Sequence, residues 1–216
     1  MKRILITSAI SMIVFTLALG IVYPLVITGI SQLAFPGNAN GQQIREGGRL
    51  VGSKIIGQQF TDVVLKPDAK PEMDSAGNPV TVPDKRYFQT RPSGTTPEDN
   101  SAATTFANLG PNDLATKQAI VTNMDAYLAL ERPYDPGLTA SQVPVDAVDT
   151  SASGIDPDIS PANADIQAHR VAAMRHLTLA TVKALIDQNT AGRGLGFSGE
   201  PSVDVVTLNL ALDARR

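Results

Sequence analysis

Two histidines, two aspartates and a glutamine–arginine pair are the residues of this chain whose types and spacing invite a chemical reading. His169 and His176 are its only histidines. On one helix they stand about two turns apart, too far to share a metal ion. Cysteine is absent, so disulfides, thiol catalysis and zinc-thiolate sites are excluded. Asp156 and Asp158, in GIDPDISP, could bind a cation through their carboxylates. Just ahead of Ser160 they serve more simply to support a helix start electrostatically, and no metal is expected; an anchored extracytoplasmic enzyme built on the two carboxylates, or a plain anchored structural domain, is the alternative of a different class. Gln167 and Arg170 lie three apart on one helix face, where they either hydrogen-bond a partner's backbone and carboxylates or sit solvated on an exposed surface. There is no G-x-x-x-x-G-K-[ST] phosphate loop, and Gly192, Gly194 and Gly196 fall short of a dinucleotide pattern. There is no G-x-S-x-G elbow either, and FSGEP around Ser198 reads as a turn. The residues assign no catalytic side chain and no bound cofactor.

The elements that would carry these residues follow from start, stop and period signals. Ser160-Pro161 opens a helix that runs to about His176, because a capping hydroxyl is followed by a proline whose missing N–H has no intrahelical partner there anyway. Thr178 opens a second, with Leu179, Val182, Leu185 and Ile186 on one face and an end before Gly192. Asn112 caps a helix from Asp113 whose apolar face is Leu114, Val121, Met124 and Leu128, with Ile120 and Tyr127 beside them, and Pro133 stops it. Val145 to Val148 reads as a short strand. Val206, Leu208, Leu210 and Leu212 alternate with Thr207, Asn209, Ala211 and Asp213, a period of two that predicts a strand with one buried face. Arg49 to Phe60 predicts two short strands with a turn or bulge at Gly52 or Gly57. The proline-rich stretch 66–84 reads as a surface insertion and Ser93 to Asn108 as a polar loop. Helices in the middle and strands near the ends, where they could pair, make the class α+β.

Ahead of all this, no charged residue occurs from Ile4 to Ile44. So long an apolar run predicts one transmembrane helix, since about 20 helical residues cross the ~30 Å hydrocarbon core. Pro24 lacks an N–H for the Gly20 carbonyl and predicts a kink there. Thr16, Gly20, Pro24 and Thr28 form a stripe of small or notched positions on which a neighbouring helix can pack closely. The run is about twice the length of a signal-peptide core, so a retained anchor is expected. Lys2 and Arg3 before it, with no charge just after, place the N-terminus in the cytoplasm and the rest outside. The expected plan is therefore 1–35 tail and transmembrane helix, 36–48 linker, and 49–216 one soluble α+β domain. Net charge is −3; with Lys2 and Arg3 set aside, the 18 basic residues fall to 16 against 21 acidic. Such a domain does not suit nucleic acid, which calls for basic clusters; the lipid bilayer is the partner the composition implies.

Several stretches taken together resemble one family. LGIVYPL, GSKIIGQQF, YFQTRPSG, NLGP at Asn108, VPVDAVDTSASGIDPDISP followed by QAHRVA, and GEPSVDVVTLNLALD stand in the order and rough spacing of KdpC, the C subunit of the Kdp potassium-transporting ATPase. The resemblance spans nearly the whole chain. It implies a single-pass subunit of a bacterial inner-membrane complex that takes up potassium at the expense of ATP. The partners implied are a potassium-translocating A subunit, a P-type ATP-hydrolysing B subunit and a small F subunit. No DKTGT-type phosphorylation motif occurs in this chain, so hydrolysis is expected in another polypeptide. The family is described as a catalytic chaperone that raises ATP affinity in the hydrolysing subunit. That description implies nucleotide or partner contact at Ser151, Ser153, Gly154, Asp156, Ser160, Gln167 and Arg170, with ATP held only jointly. The charge-based orientation implies a different duty, covering or feeding the extracellular potassium entrance.

Overall fold

The computed structural model describes residues 2–95, 102 and 109–215. They form an N-terminal apolar helix followed by an α+β domain. By compactness the chain divides into Met1–Ser53 and Lys54–Arg216.

The first unit is dominated by one 33-residue helical run, Lys2–Ala34, long and apolar enough to cross a membrane, and none of it is buried within the chain. It consists of α1 (Lys2–Leu17), a π-turn (Ala18–Val22) and α2 (Tyr23–Ala34). The π-turn falls where the proline predicted a disturbance. Pro24 gives no N–H to the Gly20 carbonyl, and the ladder widens just ahead of it, with the Tyr23 N–H reaching back to the Ala18 carbonyl. Beyond the helix the expected linker is structured. A single turn, α3 (Pro36–Ala39), is followed by a hairpin of β1 (Gln43–Glu46) and β2 (Arg49–Ser53). The hairpin starts earlier than the strand pattern suggested because Gly47 and Gly48, both at positive φ, supply the primed turn that two-residue hairpins need. Asn40 Nδ2 donates to Gln32 Oε1 at 3.1 Å and to the Pro36 carbonyl at 2.7 Å, tying α3 back to the end of α2.

In the second unit, β3 (Thr61–Val63) pairs with β4 (Thr81–Pro83). Between them the chain makes an excursion over residues 66–79, all exposed, as a surface insertion should. It is nonetheless ordered: Asp74 accepts from the Ala76 and Asn78 N–H groups at 2.8 Å each, and these bonds hold its carboxyl below the usual range. The rest of the unit is α4 (Leu114–Glu131), β5 (Asp158–Ile159), α5 (Pro161–Arg175), α6 (Leu179–Gln188), β6 (Thr190–Ala191), β7 (Ser202–Asp204) and α7 (Val205–Asp213). The three short strands form one antiparallel sheet in the order β5-β7-β6. Phe88, Ile159, Ala164, Ala168, Val171, Val182, Leu185, Val203 and Leu208 form its core. Alanines on α5 let α6 approach closely, and capping by Ser160 and Thr178 is as predicted, each hydroxyl accepting an N–H three residues on.

Three expectations are corrected. The last element is a helix, α7, and not a strand. Val205, Leu208, Asn209 and Leu212 bury one helical face, Asp204 caps it by accepting the Thr207 N–H at 2.7 Å, and leucine and alanine favour the helix. The same stretch carries a second, helical period in Val205, Leu208, Asn209 and Leu212, and burial of that face against the core decides between the two. Val145–Ala147 is a 3-10 turn following Pro144, not a strand. The N-cap of α4 is Asp113, one residue later than predicted, with its carboxylate accepting from the Ala115 N–H at 2.7 Å. Most of the polar loop ending at Asn108, and Asn108 itself, lie outside the described residues.

Candidate functional site

The serine-rich loop 149–160 docks on the segment that begins at Tyr87. At its tip, the Ser151 hydroxyl accepts the Gly154 N–H at 2.9 Å and lies 3.1 Å from the Ser153 hydroxyl. Ser151 is half-buried and Ser153 exposed, while Gly154 is buried at φ +72°. The Gly154 carbonyl accepts from the Gly94 N–H at 2.8 Å and the Ser93 hydroxyl at 3.1 Å. A Cβ on Gly154 would lie 3.0 Å from the Gly94 Cα, so the position demands glycine for space and for its left-handed backbone. Gly154→Ala is expected to cost about 2 kcal/mol, read as a lowered urea midpoint of the full chain in detergent.

The loop's second half is fixed by charge. Arg91 Nη2 donates to the Thr150 carbonyl at 3.0 Å, and Nη1 lies 3.6 Å from the Asp156 carboxylate. Asp146, carried by the 3-10 turn, accepts from the Ser160 N–H and hydroxyl at 2.8 Å each and from Asn163 Nδ2 at 3.0 Å. Ser160 thus caps α5 while being held itself. Asp158 faces Asp204 directly across the β5–β7 pair, and its carboxylate accepts from the Ser202 hydroxyl at 2.8 Å. Burial pushes both carboxyls above the usual range, and the charges of Asp204 and Asp156 push Asp158 further. A raised folded-state pKa means the fold binds the proton more tightly than the unfolded chain. The associated stability is therefore full at low pH and is lost as pH rises from the ordinary carboxylate range through the raised values. Asp158→Asn keeps an acceptor for Ser202 and removes the charge. Thermal unfolding should show a melting temperature about 2 °C higher at neutral pH, the modest size reflecting partial solvent screening, with no gain in strong acid.

Gln167 and Arg170 are neither exposed nor free to meet a partner; both are buried, which corrects the surface-face reading. Gln167 Nε2 donates to the Gln89 carbonyl at 3.0 Å and its Oε1 accepts the Gln89 N–H at 2.7 Å, as a neighbouring strand would. Arg170 Nε donates to Glu131 Oε1 at 2.9 Å, Nη1 to the Lys85 and Tyr87 carbonyls at 2.7 and 2.8 Å, and Nη2 to Gln167 Oε1 at 2.9 Å. Burial raises the Glu131 carboxyl while Arg170 pulls it back. Tyr127 closes the network, donating to Asn163 Oδ1 at 2.8 Å. On the other side, Asn209 accepts the Phe88 N–H at 2.9 Å and donates to the Phe88 carbonyl at 3.0 Å. Side chains of two helices therefore grip the segment 85–89, a turn at Lys85–Tyr87 that runs on into Phe88 and Gln89, where no strand does. Glu131, Asn163 and Asn209 were missed by the sequence reading; the one signal was a polar residue set in an apolar helical face.

His169 is partly buried and His176 exposed, and no group of three or more His, Cys, Asp or Glu able to hold a metal ion occurs among the described residues. Of the residues singled out, the structure groups Ser151, Ser153, Gly154, Asp156 and Ser160 in one loop. It places Gln167 and Arg170 in the frame beneath. Thr16, Gly20, Pro24 and Thr28 are exposed along the apolar helix.

One apolar helix long enough to span a bilayer, followed by an α+β domain, is the plan of a protein with a single candidate membrane span among the described residues. The chain belongs to the KdpC family, described as the c chain of the K+-transporting ATPase, whose model matches residues 5–214. It is 43% identical to the potassium-transporting ATPase KdpC subunit of Methylococcus capsulatus over 206 residues, covering 95% of this chain and 94% of that protein. It is 42% identical to that of Methylibium petroleiphilum over the full length of both, and 40% identical to that of Mycobacterium tuberculosis, with 99% of each covered.

Proposed function

We propose that this chain is a non-catalytic accessory subunit of an ATP-driven potassium uptake complex, held in the bacterial inner membrane by its N-terminal helix. Its partners are the potassium-translocating A subunit, the ATP-hydrolysing B subunit and the small F subunit. The carrying observation is the long helix that buries nothing within its own chain. Its apolar surface needs lipid and other helices, and the stripe of Thr16, Gly20, Pro24 and Thr28 offers close approach to one of them. A Cβ at Gly20 meets nothing within 4 Å in this chain. Gly20→Leu therefore leaves the chain itself unstrained, and any loss of co-purification with the other subunits reports a contact outside it.

Lys2 and Arg3 hold the N-terminus in the cytoplasm and put the domain outside, where it stabilises assembly and covers the potassium entrance. The surface beside the serine loop favours this duty over nucleotide binding. The hollow there is lined by Asp146, Asp156, Asp158 and Glu200 with Arg91 as its cation, a field that draws cations and repels a polyphosphate. The second reading keeps ATP shared with the hydrolysing subunit, touched by Ser151, Ser153 and Asp156 at the surface while Gly154, Ser160, Gln167 and Arg170 shape the loop from beneath. Exposed Ser153 in a cysteine-free chain decides between them. Ser153→Cys should react with a membrane-impermeant maleimide in intact cells. Labelling only after permeabilisation would overturn the entrance role and favour the nucleotide reading.

A further inference from the structure

Between α4 and the segment 85–93 lies an open groove of about 440 Å³. Ala126, Ala129, Leu130 and the Tyr127 ring make its floor apolar, and Lys85 and Arg91 stand on its rim. Among the described residues no aspartate or glutamate lines it, a local reversal of sign in a chain of net charge −3. Lys85 makes no ion pair among the described residues, and the 3.6 Å between Arg91 and Asp156 is long for a charge-assisted hydrogen bond. The groove thus fits an occupant with an apolar body and a negative group. Two amides narrow the class. Gln89 gives its Nε2 to the Phe60, Asp84 and Tyr87 carbonyls, and Asn123 gives its Nδ2 to the Val148 carbonyl. Gln89 has only its acceptor oxygen left, and Asn123 its oxygen and one N–H, a set that matches the N–H and C=O groups of a polypeptide backbone and nothing in a lipid tail.

We infer that the groove receives an extended segment of another subunit, with one large apolar side chain on the floor and one acidic side chain between Lys85 and Arg91. This rests on the accessory-subunit reading. The test uses the whole complex, with p-benzoylphenylalanine replacing Ala129 in the groove or, as control, exposed Ala119 on the same helix. Irradiation should link position 129, and not 119, to a single segment of another subunit that contains an aspartate or glutamate. Lys85→Glu should then lower recovery of the chain with its partners about tenfold, and replacing the identified acid by lysine should restore it. If the unaltered chain co-purifies with the other subunits but position 129 links only to lipid or to its own chain, the groove inference falls. It also falls if Lys85→Glu leaves recovery unchanged. If the unaltered chain recovers no other subunit, the accessory-subunit reading falls with it.

Discussion

Arg170→Ala is expected to unfold the domain at ordinary temperature. The guanidinium is wholly buried and donates to four acceptors: Glu131, the Lys85 and Tyr87 carbonyls, and Gln167. Its removal strands a carboxyl that is 1% exposed. Breaking one side of a buried pair costs about 3–5 kcal/mol, and each carbonyl left unsatisfied adds about 1–3 kcal/mol. That approaches the ~5–15 kcal/mol by which domains are stable at all. The Glu131 carboxyl, already raised by burial, would then take up a proton, so residual structure should be greater in mild acid than at neutral pH. Far-ultraviolet circular dichroism against temperature checks both points. Glu131→Gln with Arg170→Met should recover only part of the loss, because the two carbonyls stay without a donor even when no charge is stranded.

The second large effect is expected at Asn209, and it acts through the backbone instead of through charge. Asn209→Leu keeps the branched outline of the side chain on α7 but orphans the N–H and the carbonyl of Phe88, a residue with no solvent exposure. Neither group has water to turn to, so the loss should be about 2–4 kcal/mol. Asn209→Asp separates the two bonds: it still accepts the Phe88 N–H but faces the Phe88 carbonyl with a second acceptor, and should fall between the wild type and the leucine variant. Urea midpoints of the three proteins give the order. If leucine matched asparagine, segment 85–89 would be held by Gln167 and Arg170 alone.

Much of this molecule was legible along the chain because its causes are local. The uncharged run from Ile4 dictates a helix whatever follows, and Pro24 disturbs that helix through its own missing N–H. Ser160 and Thr178 mark their helices because a cap acts three residues away. The motifs around YFQTRPSG and TSASGIDPDISP could be read in order, but not that Gly94 and Gly154 touch.

Local order alone fixed the N-terminal apolar helix, the α+β class and the capped helices, since each depends on neighbours within a few residues. Only the tertiary structure decided that Val205–Asp213 is a helix, that Gln167 and Arg170 point inward, and that these two and Asn209 hold the segment 85–89 from opposite sides, with Glu131 paired to Arg170 behind it. Those outcomes turn on partners from 39 to 121 residues away. Whether a polar side chain is solvated or buried depends on which distant carbonyl or carboxylate is brought to it, and periodicity carries no record of that.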